Sequence, residues 1–204
     1  MGLSLRSPSV AALVFAVSLC HGTPLRADSI PLPTVDYQAK AIVYGGGTLV
    51  SRYSNGKMRV ESQVPGVPLP AVSFIDLMTR KMVTTVAIPG MGNVATEVDF
   101  SDEGKYGVAI GQGRRVGSAT VAGENCELWE MTGTNKKGRE QTAIACLTRD
   151  SIALRVEATI KGKPETVFEV TEIKRGPQDP KLVTPPANLQ VMKLPKDMRE
   201  LLRP

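Results

Sequence analysis

Few side chains in this chain of 204 residues are able to do chemistry, and their placement narrows what they could do. Its single histidine, His21, lies in an N-terminal segment whose pattern marks it for removal, so the processed protein would contain none. That excludes Ser-His-Asp triads, Cys-His pairs and histidine metal sites together. Glu97, Asp99, Asp102 and Glu103 form the one carboxylate cluster. Such a cluster could hydrolyse glycosides if two carboxylates faced each other across a cleft and one had a raised pKa. The same residues could equally bind a cation or keep a loop hydrated. Gly45-Gly46-Gly47 and Gly111-Gln-Gly-Arg-Arg115 have the composition of phosphate cradles but not the spacing of nucleotide loops, and both read as turns. The expectation is a protein that is not an enzyme, with no cofactor and no metal.

Two further groups with reactive potential are Cys126 and Cys146. They lack a Cys-x-x-Cys spacing and a histidine to activate a thiolate, so a structural disulfide is expected. Cys126-Glu-Leu-Trp-Glu-Met-Thr and Gln141-Thr-Ala-Ile-Ala-Cys-Leu read as two strands around a polar turn at Gly133 to Gly138. A turn centred on Lys136 places Cys126 directly opposite Cys146 and Leu128 opposite Ile144. Closing this loop stabilises the fold by roughly 3 kcal/mol on the chain-entropy model.

The segment to be removed has a basic start, an apolar run from Val10 to Cys20, and a polar stretch ending Leu25-Arg-Ala27. The run is well short of the ~20 residues that span a bilayer. This is the pattern of a secretory signal peptide with cleavage after Ala27, or after Gly22. Lipidation at Cys20 is a minor alternative, because Leu19 is bulky where a small residue is needed. The expectation is a periplasmic protein divided into a signal peptide (1–27), a β domain (28–175) and a Pro-rich extended tail (176–204) ending in a short helix near Asp197–Leu202. Loss of Arg6 and Arg26 leaves 23 basic against 20 acidic residues. That balance is too mild to argue for nucleic acid.

The positioning elements are strands. Asn55-Gly56 between Leu49–Tyr53 and Met58–Ser62 is a strong hairpin signal. Its register sets Tyr53 opposite Met58 and Arg52 opposite Arg59, with Glu61 diagonal to Arg52, on a solvated face. Val72–Leu77 and Met82–Ile88 form another hairpin around Met78-Thr-Arg-Lys81. Ile152, Leu154, Val156, Ala158 and Ile160 alternate with Ala153, Arg155, Glu157 and Thr159, the pattern of a strand with one wet face. Residues 89–122 show one strand candidate at Val94–Phe100 and a polar Ser101-Asp-Glu-Gly that could cap a short helix. The fold class is mainly β: a strongly curved antiparallel sheet or partly open barrel with a few short helices.

The order of motifs resembles a family. Asn55-Gly-Lys-Met-Arg-Val-Glu61 is followed by Phe74-Ile-Asp-Leu-Met-Thr-Arg-Lys-Met82, then by Gly117-Ser-Ala-Thr-Val-Ala-Gly-Glu-Asn-Cys126, Leu147-Thr-Arg-Asp-Ser-Ile-Ala-Leu-Arg155 and Gly176-Pro-Gln-Asp-Pro180. Over about residues 36–195 this series resembles uncharacterised exported bacterial proteins of the lipoprotein-carrier superfamily, with LolA/LolB-like and RseB-like domains. The resemblance implies a half-open barrel whose concave face binds acyl chains or a partner segment.

Candidate lining residues for such a concavity are Met58, Val60, Phe74, Met82, Val86, Trp129, Met131, Leu154, Val156 and Phe168. Methionine adapts well to flexible apolar ligands. Arg114 and Arg115, with Lys136, Lys137 and Arg139, could make peripheral contact with anionic headgroups. The expected function is binding of a hydrophobic ligand, a lipid or lipidated protein, by a monomer in envelope assembly or transport. The alternative is an RseB-type module that holds another envelope protein.

Overall fold

The computed structural model describes residues 28–66, 69–88, 90, 92–99, 112–134, 140–187, 189 and 191–192. In chain order the strands are β1 (Asp28–Ser29), β2 (Tyr37–Val43), β3 (Gly47–Ser54), β4 (Lys57–Gln63), β5 (Ala71–Asp76), β6 (Lys81–Ile88) and β7 (Gly92–Asp99). They continue as β8 (Gln112–Val121), β9 (Glu124–Thr134), β10 (Glu140–Leu147), β11 (Ala153–Ile160), β12 (Lys163–Arg175) and β13 (Val191–Met192). All belong to one sheet in the order β1-β8-β9-β10-β11-β12-β2-β3-β4-β5-β6-β7-β13. Two meanders, β2–β7 and β8–β12, join where β12 pairs with β2. Neighbours run antiparallel except β13, which lies parallel to β7. The consecutive strands β7 and β8 stand at opposite sides of the sheet, so it does not close.

Several turns follow directly from local chemistry. Asn55 and Gly56 take φ of 45° and 78°, the two positive values of a type I′ turn. This sets Tyr53 opposite Met58 and Arg52 opposite Arg59, as their sequence predicts. In the β5–β6 turn the Asp76 carboxylate accepts hydrogen bonds from the Met78 and Thr79 amides, which hold it below the ordinary carboxylate range.

The sheet curls strongly at one half. In a flat sheet β8 and β12, four strand spacings apart, would be separated by about 19 Å, yet they touch. Four register shifts bend this half: between Arg115 and Gly117, Cys146 and Leu147, Val156 and Glu157, and Val170 and Glu172. The pairings from β2 to β7 contain none. Bulges increase local twist and bend a strand, which accounts for where the curvature sits.

Inside the curl, Tyr37, Ala39, Ala41, Tyr53, Val121, Cys126, Cys146, Ile152, Leu154 and Val170 form one buried core. Tyr37 and Tyr53 stack with ring centroids 5.5 Å apart. Burial raises the Tyr37 hydroxyl well above the usual phenol value, with Tyr53 and Asp150 adding to the effect. A second cluster, Trp129, Met131, Ala145 and Leu147, lies on the outer face with Ile30 packed against it.

Four expectations change. The Cys126–Cys146 disulfide is present, with Cα atoms 5.4 Å apart. Cys146 nevertheless pairs with Leu128, and Ile144 with Glu130, so the hairpin register differs by two residues and the disulfide is diagonal. Gly113, Arg114 and Arg115 belong to strand β8 and not to a turn. Leu154 and Val156 do not share a face, because the bulge at Cys146/Leu147 sends Leu154 into the inner core while Val156 packs on the outer cluster. The tail adds strand β13 to the edge of β7. The helices expected near 101–104 and 197–202, the signal segment 1–27, and Asp102, Glu103, Lys136, Lys137 and Arg139 lie outside the described residues.

Candidate functional site

Cross-strand register defines which residues share the inner face of β4–β7. Tyr53 is followed across the sheet by Met58, Ile75 and Met82. Ser51 is followed by Val60, Ser73, Thr84 and Thr96. Leu49 is followed by Ser62, Ala71, Val86 and Val94. Apolar side chains thus flank a row of small ones, in which the Ser73 and Thr84 hydroxyls bond each other at 2.8 Å. That bond pairs one hydroxyl's proton with the other's oxygen, and the row forms a polar stripe between apolar ones.

Burial separates this surface from the curled half. Ile152 and Leu154 are 0% exposed and Val170 2%. By contrast Met58, Val60, Ile75, Met82, Val86 and Val94 are all only half-buried. The large apolar side chains of this face are thus less completely covered than those of the curled half.

The candidate lining residues therefore divide. Met58, Val60, Met82 and Val86 come together on the inner face of β4–β7. Leu154 belongs to the sealed core; Phe168 packs against it, and so does Met58 from the edge of the open face. Trp129 and Met131, with Val156, lie in the outer cluster. Phe74 pairs with Arg59 and points to the outer face, where it is 6% exposed beneath the Arg59 guanidinium, 5.4 Å from the ring centroid. The face carrying Arg52 and Arg59 is consequently not open water: their side chains are 23% and 26% exposed. Glu61 bonds Arg52 at 2.5 Å and Arg59 at 3.1 Å, relieving the repulsion between the opposed cations. Ile75 and Val94 escaped the sequence-based set; parity with Met82 and Val86 was the signal that would have found them.

One end of the sheet carries a compact cluster of ion pairs. Arg175 holds Glu124 through two bonds of 2.6 and 2.5 Å and Asp150 through its Nε at 2.6 Å. This arginine holds the Asp150 carboxyl below the ordinary range, and its own guanidinium is pushed further up by the same two acids. The Thr34 amide donates to the Asp150 carbonyl, tying in the N-terminal segment. A hollow of about 420 Å³ lies here, lined by Thr34, Glu124, Asn125, Thr148, Arg149, Asp150 and Arg175. Because both acids are occupied by Arg175, the group is suited to fastening four chain segments and not to proton transfer. Glu97 is exposed and lies on the outer face opposite Val83. Among the described residues no group of three or more His, Cys, Asp or Glu side chains is placed to hold a metal.

No family model and no curated protein matches the chain. Solved structures do. The chain is similar to PNGF-II, with a TM-score of 0.52 and 11% identity, covering 84% of this chain but 33% of that one. An uncharacterized conserved protein from Thermus thermophilus aligns with a TM-score of 0.49 and 18% identity over 78% of this chain and 91% of its own. A chain of the Pseudomonas aeruginosa MucA/MucB complex aligns with a TM-score of 0.45 and 16% identity, over 79% of this chain and 59% of that one. At such identities the likeness concerns the fold alone.

Proposed function

We propose that this chain is an exported, non-enzymatic protein that holds a hydrophobic ligand, the acyl chain of a lipid or lipidated peptide, on the inner face of β4–β7. The observation that carries the reading is the half-buried row of Met58, Val60, Ile75, Met82, Val86 and Val94 beside a fully sealed core on the same face. Burying acyl surface there would gain roughly 25 cal/mol per Å² of apolar area, before ordering costs. The disulfide supports export, since such bonds persist in oxidising compartments. The secretory pattern of residues 1–27 points the same way.

Native mass spectrometry of protein purified from its own compartment without detergent, followed by organic extraction, tests this. A bound species of lipid mass is expected. A clean apo mass that persists after incubation with envelope lipids would overturn it.

A second reading, a module that holds another envelope protein, is favoured by one observation. Among the described residues, the outer side of β8 is paired only at Gln112 and Gly113, by β1. The backbone from Arg114 to Val121 then offers an edge to an extended peptide. Cross-linking would find a partner on β8 if this reading holds, and no lipid would co-purify.

A further inference from the structure

The antiparallel connections send alternate turns to opposite ends of the sheet, and the two ends differ in chemistry. The Gly56 and Asp76–Lys81 turns, together with Thr148–Ser151, share one end, and Lys57, Asp76, Arg80, Lys81, Arg149 and Asp150 charge it. At the other end, residues 44–47 of the β2–β3 turn and 64–66 after β4 carry no charge at all. These two turns meet. A side chain at Gly46 would contact the Pro65 ring at 3.9 Å, and one at Gly47 would collide with the Gln63 carbonyl at 2.9 Å. Glycine at 47 is what lets the strands approach so closely, and glycine at 46 takes the φ of 84° that the turn needs.

The rim these turns form is apolar and open. Ile42 is 49% exposed, Tyr44 51% and Val64 42%, three of the larger apolar side chains left uncovered in the molecule. The Tyr44 amide donates to the Val167 carbonyl, which fixes the rim against β12. The β11–β12 turn at this same end exposes Lys161 and Lys163. An aromatic and an aliphatic tip, Tyr44 and Val64, with Ile42 beside them on β2 across from Glu169 and lysines in the adjacent turn, match the interfacial zone of a bilayer: apolar groups enter between headgroups while cations meet anionic phosphates.

We infer that this end of the sheet, through Ile42, Tyr44, Val64 and Pro65 with Lys161 and Lys163, docks on an anionic lipid surface. A protein face would demand a shaped complement. A bilayer needs only tips without charge and a basic flank, which is what the rim supplies. The rim and the inner face of β4–β7 are separate surfaces, so loss of one leaves the other measurable.

Processed protein from the exporting cell, sedimented with phosphatidylcholine vesicles with or without added phosphatidylglycerol, tests the inference. Binding to the anionic vesicles is expected. Tyr44→Asp with Val64→Asp should weaken it roughly tenfold, the loss of about one side chain's worth of apolar burial. Lys161→Glu with Lys163→Glu should weaken it several-fold on anionic vesicles only, and remove its salt dependence. Should the double aspartate variant fail to fold, Tyr44→Trp gives a second readout: its emission should shift to the blue on anionic vesicles. No partition into either vesicle, equal binding by wild type and the folded tip variant, or an unshifted tryptophan would each overturn the inference and leave the rim to a protein surface.

Discussion

The two halves of this sheet cover their inner faces differently. From β8 through β12 to β3 the inner side chains meet across a tight curl, and Ile152, Leu154, Cys146 and Val170 are at most 2% exposed. From β4 to β7 the inner face mixes Ser and Thr with large apolar residues, and all of those large apolar residues are half-buried. The backbone differs as well as the side chains: four register shifts bend the first half, and none interrupts the pairings of the second. An unbulged meander retains ordinary twist, and among the described residues no strand packs across its inner face. The lesson is that one sheet builds a sealed core and a less covered face by placing extra residues in only some of its strands.

The largest expected effect breaks the comparison in the sealed half. Leu154→Ala, at a site with 0% exposure, should cost about 4 kcal/mol in denaturant unfolding, because transfer and cavity terms add. Next is the disulfide. Cys126→Ser with Cys146→Ser releases a link of sequence separation 20 and should cost roughly 3 kcal/mol. Unfolding without reductant against unfolding with it checks the same quantity.

A smaller effect concerns pH. Arg175 depresses the Asp150 carboxyl in the folded protein. The stability linked to that shift is complete above the ordinary carboxylate range and disappears as pH falls through it toward the lower folded value. Arg175→Gln should therefore destabilise the protein at neutral pH and flatten the acid limb of its stability curve. Thermal midpoints measured across the acidic range for both proteins decide this; parallel curves would show that Arg175 does not set the acid response.

The smallest stability change is expected in the open half. Met82→Ala should cost under about 1 kcal/mol, since a half-buried side chain leaves no closed cavity. It should nonetheless weaken binding of a fluorescent fatty acid several-fold. A cost equal to that of Leu154→Ala would mean that the two halves are packed alike.

Much of the open half is legible in the sequence. Asn55-Gly56 dictates one turn type, and the turn type dictates the register that opposes Arg52 to Arg59 and lets Glu61 bridge them. The β9–β10 hairpin offers no such handle. Its turn lies in a longer polar stretch with no single preferred geometry, and two registers separated by two residues keep every side chain on its face. That is why the disulfide can be read from the chain while its diagonal pairing cannot. Strand β8 leaves no periodic signal, because an edge strand of Gly, Arg, Ser and Thr exposes seven of its ten residues. Residue type alone groups Phe74 with the inner apolar set, whereas parity with Arg59 sends it outward. The bulges, which separate Leu154 from Val156 and shape the whole molecule, depend on long-range pairing that no local pattern reports.

The central claim, that the inner face of β4–β7 is the ligand surface and the sealed core is not, is tested most directly by the methionine methyl groups. Met58 and Met82 lie on the open inner face, and Met131 is buried in the outer cluster. Titrating methyl-labelled protein with a lysophospholipid below its micellar concentration should shift the Met58 and Met82 resonances together and leave Met131 in place. A shift at Met131 alone, or no shift at any of the three, would contradict the account.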